Sequence, residues 1–150
     1  MTHQASAYNH ALWLLGAREH SVRELQQKLS RKEFSAEDIQ AAIDKLIEYN
    51  YVNDQRFAEA FARSKAAKPL GKQRILNELK MKGIDEASAK QALNALEADW
   101  FELALELKLK KFGEAVSRDY KEKAKQTRYL AYRGFGFDEI KHAIEYREED

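Results

Sequence analysis

The stretch "LSRKEFSAEDIQAAIDKL" occupies Leu29–Leu46, and two further stretches echo it: "LKMKGIDEASAKQALNAL" at Leu79–Leu96 and "LAYRGFGFDEIKHAIEYR" at Leu130–Arg147. The spacing is 50 and then 51 residues, counted from Leu29 to Leu79 and from Leu79 to Leu130. Self-similarity at that period points to stacked supersecondary units. Certain positions recur in all three copies: a base at Lys32, Lys82 and Arg133; a bulky apolar residue at Phe34, Ile84 and Phe135; and an alanine at Ala42, Ala92 and Ala143, followed by Ile43, Leu93 or Ile144. The leucines and isoleucines read as core, and the alanines as points of close helix approach.

Working outward from the repeat, the apolar residues follow the i, i+3, i+4, i+7 rule of amphipathic helices. Tyr8, Ala11, Leu12 and Leu15 share one face; Val22, Leu25 and Leu29 another; Ile39, Ala42, Ile43 and Leu46 a third. The second copy has Phe57, Phe61 and Ala62, then Ile75 and Leu79, then Ala89, Ala92, Leu93 and Leu96. The third has Phe101, Leu103, Ala104 and Leu107, then Ala124, Thr127 and Leu130, then Ile140, Ala143 and Ile144. Punctuation agrees: Ser21 with Glu24 forms a capping-box pattern, and Ser35 with Asp38 a close variant. Gly83 and Gly134 suit a left-handed position ending the middle helix. Glu33 stands there in the first copy, at a cost of roughly 1 kcal/mol in that conformation, so a differently built first turn is expected.

Each copy is therefore three short helices, with repeats over 1–52, 53–98 and 99–150. A three-helix unit of that size is near the lower limit for an adequate core of its own. The expectation is an all-α, elongated and curved tandem array of three three-helix repeats, with neighbours sharing core. One proline, six glycines and no fenced run of β-branched residues leave no convincing strand. Trp13, Phe57, Phe61, Trp100, Phe101 and Phe112 are expected in the core.

Several chemistries are disfavoured. The chain has no cysteine, hence no disulfide framework or thiolate chemistry. His3, His10, His20 and His142 lack metal-site spacing and read as surface or cap residues. Phosphate-binding and nucleophile-elbow glycine motifs are missing, and no carboxylate pair stands out in an apolar setting. No enzyme activity and no cofactor are expected. The segment "MTHQASAYNH" is no secretory signal, and no apolar stretch approaches the ~18 residues needed to span a bilayer. A cytoplasmic monomer without membrane contact is expected.

Net charge is only +1, yet charge is segregated. Residues 63–83 carry seven Lys/Arg against one Glu, and residues 107–133 nine against three acids. Residues 35–62 and 134–150 each carry six acids against two bases, and residues 84–106 six against one. Middle helices and their approaches are basic, last helices acidic. In a regular stack this gives a basic ridge and an acidic ridge that a long polar partner could read, although solvated faces would look the same. The bases at Lys32, Lys82 and Arg133 also suit the helix dipole, and that explanation stands beside partner contact. Arg63, Lys65, Lys68, Lys72 and Arg74 surround a Gly/Pro loop the dipole does not explain, and are better contact candidates, with Lys80, Lys82, Arg128 and Arg133 beside them. Tyr129 and Tyr132, near Arg128 and Arg133, fit either packing or base stacking. Tyr49 and Tyr51 flank a turn into the helix that starts near Asp54.

The blocks "HSVRELQQKL" at His20–Leu29, "YVNDQRFAEAF" at Tyr51–Phe61, "GKQRILNELKMKGI" at Gly71–Ile84 and "RYLAYRGF" at Arg128–Phe135 resemble, in order and spacing, the RecX regulatory proteins of bacteria. The resemblance covers nearly the whole chain; "RKEF" at Arg31–Phe34 departs from it where glycine often stands. It implies three tandem three-helix repeats acting on RecA, the recombinase that coats single-stranded DNA. It also implies inhibition of filament extension, ATPase and strand exchange from the filament groove; the basic ridge, read from the charge, would add weak DNA contact. The alternatives are a helix-turn-helix DNA-binding module, which the acidic last helices disfavour, and a generic helical adaptor.

Overall fold

The computed structural model describes residues 3–148. Among the described residues there are nine helices and no strand. The first repeat holds α1 (His3–Ala17), α2 (Val22–Arg31) and α3 (Ala36–Glu48). The second holds α4 (Asp54–Ala66), α5 (Lys72–Met81) and α6 (Glu86–Ala95), and the third α7 (Trp100–Phe112), α8 (Tyr120–Tyr132) and α9 (Phe137–Glu145). None of these helices is long and apolar enough to cross a membrane.

Local signals account for the boundaries. The Ser21 hydroxyl accepts from the Glu24 amide, and the Glu24 carboxylate accepts in return from the Ser21 amide, closing the capping box that starts α2. Ser35 caps α3 by accepting from the Asp38 amide, and Asp99 caps α7 by accepting from the Glu102 amide. All three middle helices end in a left-handed residue: Glu33 at φ 65°, Gly83 at 87° and Gly134 at 100°. The first turn thus has the same left-handed form as the others. Glu33 is exposed there, so only its backbone strain remains.

The chain divides into two compact units. The first takes the chain up to Phe61 together with Leu79–Ala92; the second takes Ala62–Glu78 with Leu93 onward. In the first, Ala11, Leu25, Leu29, Ile39, Ile43, Leu46 and Val52 form the core, with Tyr8, Leu12, Leu14, Leu15, Val22 and Phe34 packed on it. In the second, Ala104, Leu107, Leu130, Phe135, Ile140, Ala143 and Ile144 do the same, with Leu103 and Tyr129. The second repeat supplies buried residues to both units, Phe57, Ala58, Leu79, Ile84, Ala89 and Ala92 to the first and Ala62, Leu70, Ile75, Leu76 and Leu93 to the second. Burying a Leu or Ile is worth about 1.5–3 kcal/mol, and the recurring alanines are buried as expected.

A few expectations fail. Trp13 is 72% exposed and stacks on His10 at 5.6 Å rather than entering the core. Phe101 is also exposed, against the edge of His142. On α8 Thr127 faces solvent, its hydroxyl donating to the Lys123 carbonyl. Gln126 is buried instead, in the place of Leu25 and Ile75. His20 is buried; the His3 side chain lies outside the described residues.

The end of α8 meets the start of α5 within the second unit. The Gly71 amide donates to the Arg133 carbonyl at 2.7 Å, and the Gln73 amide to the Gly134 carbonyl at 3.2 Å. Orphan amides at one helix start are thereby satisfied by carbonyls at another helix end. A Cβ on Gly71 would sit 2.3 Å from the Gly134 carbonyl carbon, and a Cβ on Gly134 would sit 2.3 Å from Arg74 Cβ. Gly71→Ala is expected to cost at least about 2 kcal/mol, because main chain must move, whereas Gly16→Ala, with open space around it, should be neutral or stabilising by up to ~1 kcal/mol. Glu33→Gly should gain about 1 kcal/mol by relieving its φ. Urea unfolding of the three variants checks all of these.

Candidate functional site

The nine candidate bases differ in what they touch. In the second unit the Arg133 guanidinium donates to the Lys68 carbonyl at 3.1 Å and the Pro69 carbonyl at 2.9 Å. Arg74 donates to the Tyr132 carbonyl at 3.3 Å, lies 5.2 Å from the Tyr132 ring centre and stands 4.0 Å from Glu78. Lys65 is 3.9 Å from Glu78. In the first unit Lys82 pairs with Glu24 at 3.1 Å and Lys80 with Glu86 at 3.4 Å. Lys82 and Arg133 occupy equivalent repeat positions and both reach back one repeat from the end of their own middle helix, Lys82 to the Glu24 carboxylate in the first turn of α2 and Arg133 to carbonyls of the loop that leads into α5. The glycine beside each base follows suit, Gly83 lying against Arg23 as Gly134 lies against Arg74. In the second and third repeats the recurring base is thus a joint to the repeat before it.

Arg63, Lys68, Lys72 and Arg128 remain, all in the second unit. All four are exposed, and none forms an ion pair among the described residues. Tyr132, 75% exposed under Arg74, belongs with them in chemistry. Tyr129 is packed edge-on against Phe112 at 5.4 Å. Lys108 lies within the basic stretch 107–133, but its side chain is fully buried. Its ammonium donates to the Gly113 and Ala115 carbonyls at 2.8 and 3.2 Å, and burial lowers its pKa despite Glu114 nearby. It fastens the α7–α8 connection and carries no surface charge.

At the joint of the first unit, Glu24 receives two hydrogen bonds from the Arg18 guanidinium, at 3.1 and 3.0 Å, as well as the Lys82 ammonium. Burial alone would raise its carboxyl; Arg18, the Ser21 amide and Lys82 together overcome it and hold the pKa down at about 2. Beside it, the buried His20 ring has Nδ1 3.0 Å from the Arg18 carbonyl and Nε2 3.0 Å from Lys28 Nζ. A ring that donates to the carbonyl and accepts from the ammonium is neutral, and burial lowers its pKa accordingly. No group of three or more His, Asp or Glu among the described residues could hold a metal ion.

Fold and site together define an all-α tandem array of three-helix repeats whose joints are made by recurring bases. Family models match each repeat: the first three-helix domain of RecX over residues 7–46, the second over 53–93 and the third over 97–144. The chain is 42% identical over 140 residues to the regulatory protein RecX of Vibrio parahaemolyticus, covering 93% of this chain and 90% of that one. It is 42% identical over 146 residues to that of Vibrio cholerae, covering 97% and 96%. The crystal structure of RecX from Lactobacillus salivarius superposes with a TM-score of 0.78 at 28% identity, over 95% of this chain and 94% of that one. The chain belongs to the RecX family of regulatory proteins.

The joint gives a pH dependence with a definite sign. Glu24 has a depressed pKa when folded, so its contribution is complete above its ordinary value near 4.5 and is lost as pH falls toward about 2. Glu24→Gln should lower stability at neutral pH by roughly 1–3 kcal/mol, with the difference from the parent protein shrinking toward zero near pH 2. Urea titrations at a series of pH values measure it.

Proposed function

We propose that this chain is a cytoplasmic, non-enzymatic modulator of the RecA recombinase. It binds the RecA–single-stranded DNA filament, lies in its groove across neighbouring protomers, and slows ATP hydrolysis, filament extension and strand exchange. Recombination, DNA repair and the SOS response are the processes it would restrain. The observation that carries this reading is membership of the RecX family along nearly the whole chain. Physically, a body that contacts several protomers at once opposes any step that changes their spacing, and also obstructs addition at an end.

Within that reading, Arg63, Lys68, Lys72 and Arg128 meet the strongest negative charge of the filament, the DNA backbone. They are the candidate bases left over once ion pairs and joints are assigned. Lys82 and Arg133 act through the fold, and Arg74, Lys65 and Lys80 are held by their own neighbours. Four phosphate contacts to a single strand would give a salt slope near −3, about 0.7 per contact. Such binding is weak and salt-sensitive without RecA.

Titration of RecA's DNA-dependent ATPase is the direct test. Substoichiometric protein should slow hydrolysis, and excess protein that leaves hydrolysis and filament growth untouched would refute the reading. Replacing Arg63, Lys68 and Lys72 together by Glu should raise the half-inhibitory concentration about tenfold or more, which corresponds to ~1.4 kcal/mol, while far-ultraviolet circular dichroism stays unchanged. Tight, sequence-specific duplex binding in the absence of RecA would favour a helix-turn-helix module instead.

A further inference from the structure

The end of α3 displays large side chains that the fold leaves half exposed. Tyr49 and Tyr51 are 52% and 51% exposed, and Ile47 is 51% exposed. The two phenol rings lie 5.9 Å apart, tilted by 58°. The turn that carries them is held in one conformation from several sides. Asn50 takes the left-handed conformation at φ 58°, and the Asn53 side-chain amide donates to its Oδ1 at 2.9 Å. Arg56 donates to the Asn50 and Tyr51 carbonyls, both at 3.1 Å, and its Nε is fixed by Glu19 at 2.6 Å. The Tyr51 and Val52 amides both donate to the Leu46 carbonyl, and Val52 is buried in the core. Two large aromatic side chains are thus presented on a backbone already ordered, which removes much of the entropic cost of using them in a contact.

Charge along this stretch is predominantly negative. Residues 35–62 carry six acids and two bases, and the fold occupies both bases. Lys45 lies over the Tyr8 ring at 5.7 Å, and Arg56 is spent inside the turn. On α3 the exposed residues Gln40, Asp44, Ile47 and Glu48 follow at three- and four-residue spacing and so share a row. Asp44 is oriented by the Gln40 amide at 2.8 Å. Tyr8 lies close to the tyrosine pair: burial first, then Tyr51 and Tyr49, push its phenol up. Exposed aromatic rings beside unneutralised carboxylates attract ammonium and guanidinium groups and repel phosphates.

We propose that Tyr49, Tyr51 and Ile47, flanked by Asp44 and Glu48, form a docking surface for a cationic protein segment, whose arginine or lysine side chains lie on the tyrosine rings and pair with the two carboxylates. Resting on the reading above, the occupant is the protein face of the recombinase filament, while the exposed bases of the second unit meet its DNA. The one chain would then hold the two components of the filament through surfaces of opposite charge. Tyrosine is among the residue types that dominate interface energetics, which makes the pair the part of this surface to test first.

The test uses the full chain with RecA filaments on single-stranded DNA. A photo-crosslinking residue replacing Ile47 should capture RecA and not the DNA. Tyr49→Ala with Tyr51→Ala should raise the half-inhibitory concentration tenfold or more while helix content and binding to DNA alone are unchanged. Asp44→Lys with Glu48→Lys should act in the same direction, with an effect that diminishes as salt is raised. If the parent protein inhibits, and both double variants inhibit equally well with no capture of RecA, the docking surface is wrong and the inhibitory reading stands. Capture of RecA by a parent protein that does not inhibit would keep the surface and remove the inhibitory reading. Capture of DNA alone, or of nothing by a protein that does not inhibit, would overturn the surface in either case.

Discussion

The structure depends on a contact in which the carboxyl end of one middle helix closes on the amino end of another. In the second unit this brings main chain against main chain at Gly71 and Gly134, with the Arg133 and Gly134 carbonyls accepting from amides that would otherwise be orphaned. Only residues without a Cβ allow the approach, and only a left-handed turn aims the carbonyls correctly. A base from the same turn then spans the seam. In the first unit that base is Lys82, and it meets Glu24, already held by Arg18 and the capping box of α2. The capping pattern is therefore both a helix start and a receptor for the next repeat. Short three-helix repeats, each too small to bury much on its own, are joined this way into larger cores.

This arrangement sorts the charges of the chain by role. A base that repeats at a fixed position in every copy is an obvious candidate for partner recognition, yet in the second and third copies Lys82 and Arg133 are engaged in the joint, while Lys32 in the first is exposed. Among the candidate bases, the four left exposed without an ion pair among the described residues, Arg63, Lys68, Lys72 and Arg128, do not recur in that way. Lys108 shows the extreme case, a lysine whose stem is packed and whose ammonium is used up on two carbonyls.

Much of this was legible in the letters. All nine helices follow from 3.6-residue periodicity with Ser, Asp and Gly punctuation, because amphipathic helices write their buried face into the chain. The period misplaces Trp13 because "ALWLL" at Ala11–Leu15 is apolar on every side and so cannot choose a face. The apolar period points to Thr127 as a core position because Gln126, the true equivalent of Leu25 and Ile75, is polar. The roles of Lys82, Arg133 and His20 were hidden for a different reason: their partners lie either far along the chain or on a main-chain carbonyl, and composition records neither. The rigid display of Tyr49 and Tyr51 depends on Arg56 reaching back to two carbonyls, which spacing does not reveal.

The seam also governs where the copies can differ in length. From the end of each middle helix to the start of the last, the step is the same: Arg31 to Ala36, Met81 to Glu86, Tyr132 to Phe137. These stretches hold the turn, the glycine or its substitute, and the base, and one added residue would swing them out of register. The link from first to middle helix meets the seam only in the residues next to the middle helix, Lys68–Gly71 in the second repeat, and its length varies, from Ala17 to Val22, from Ala66 to Lys72 and from Phe112 to Tyr120. Insertions and deletions should therefore accumulate in that upstream link, leaving the downstream turn constant in size.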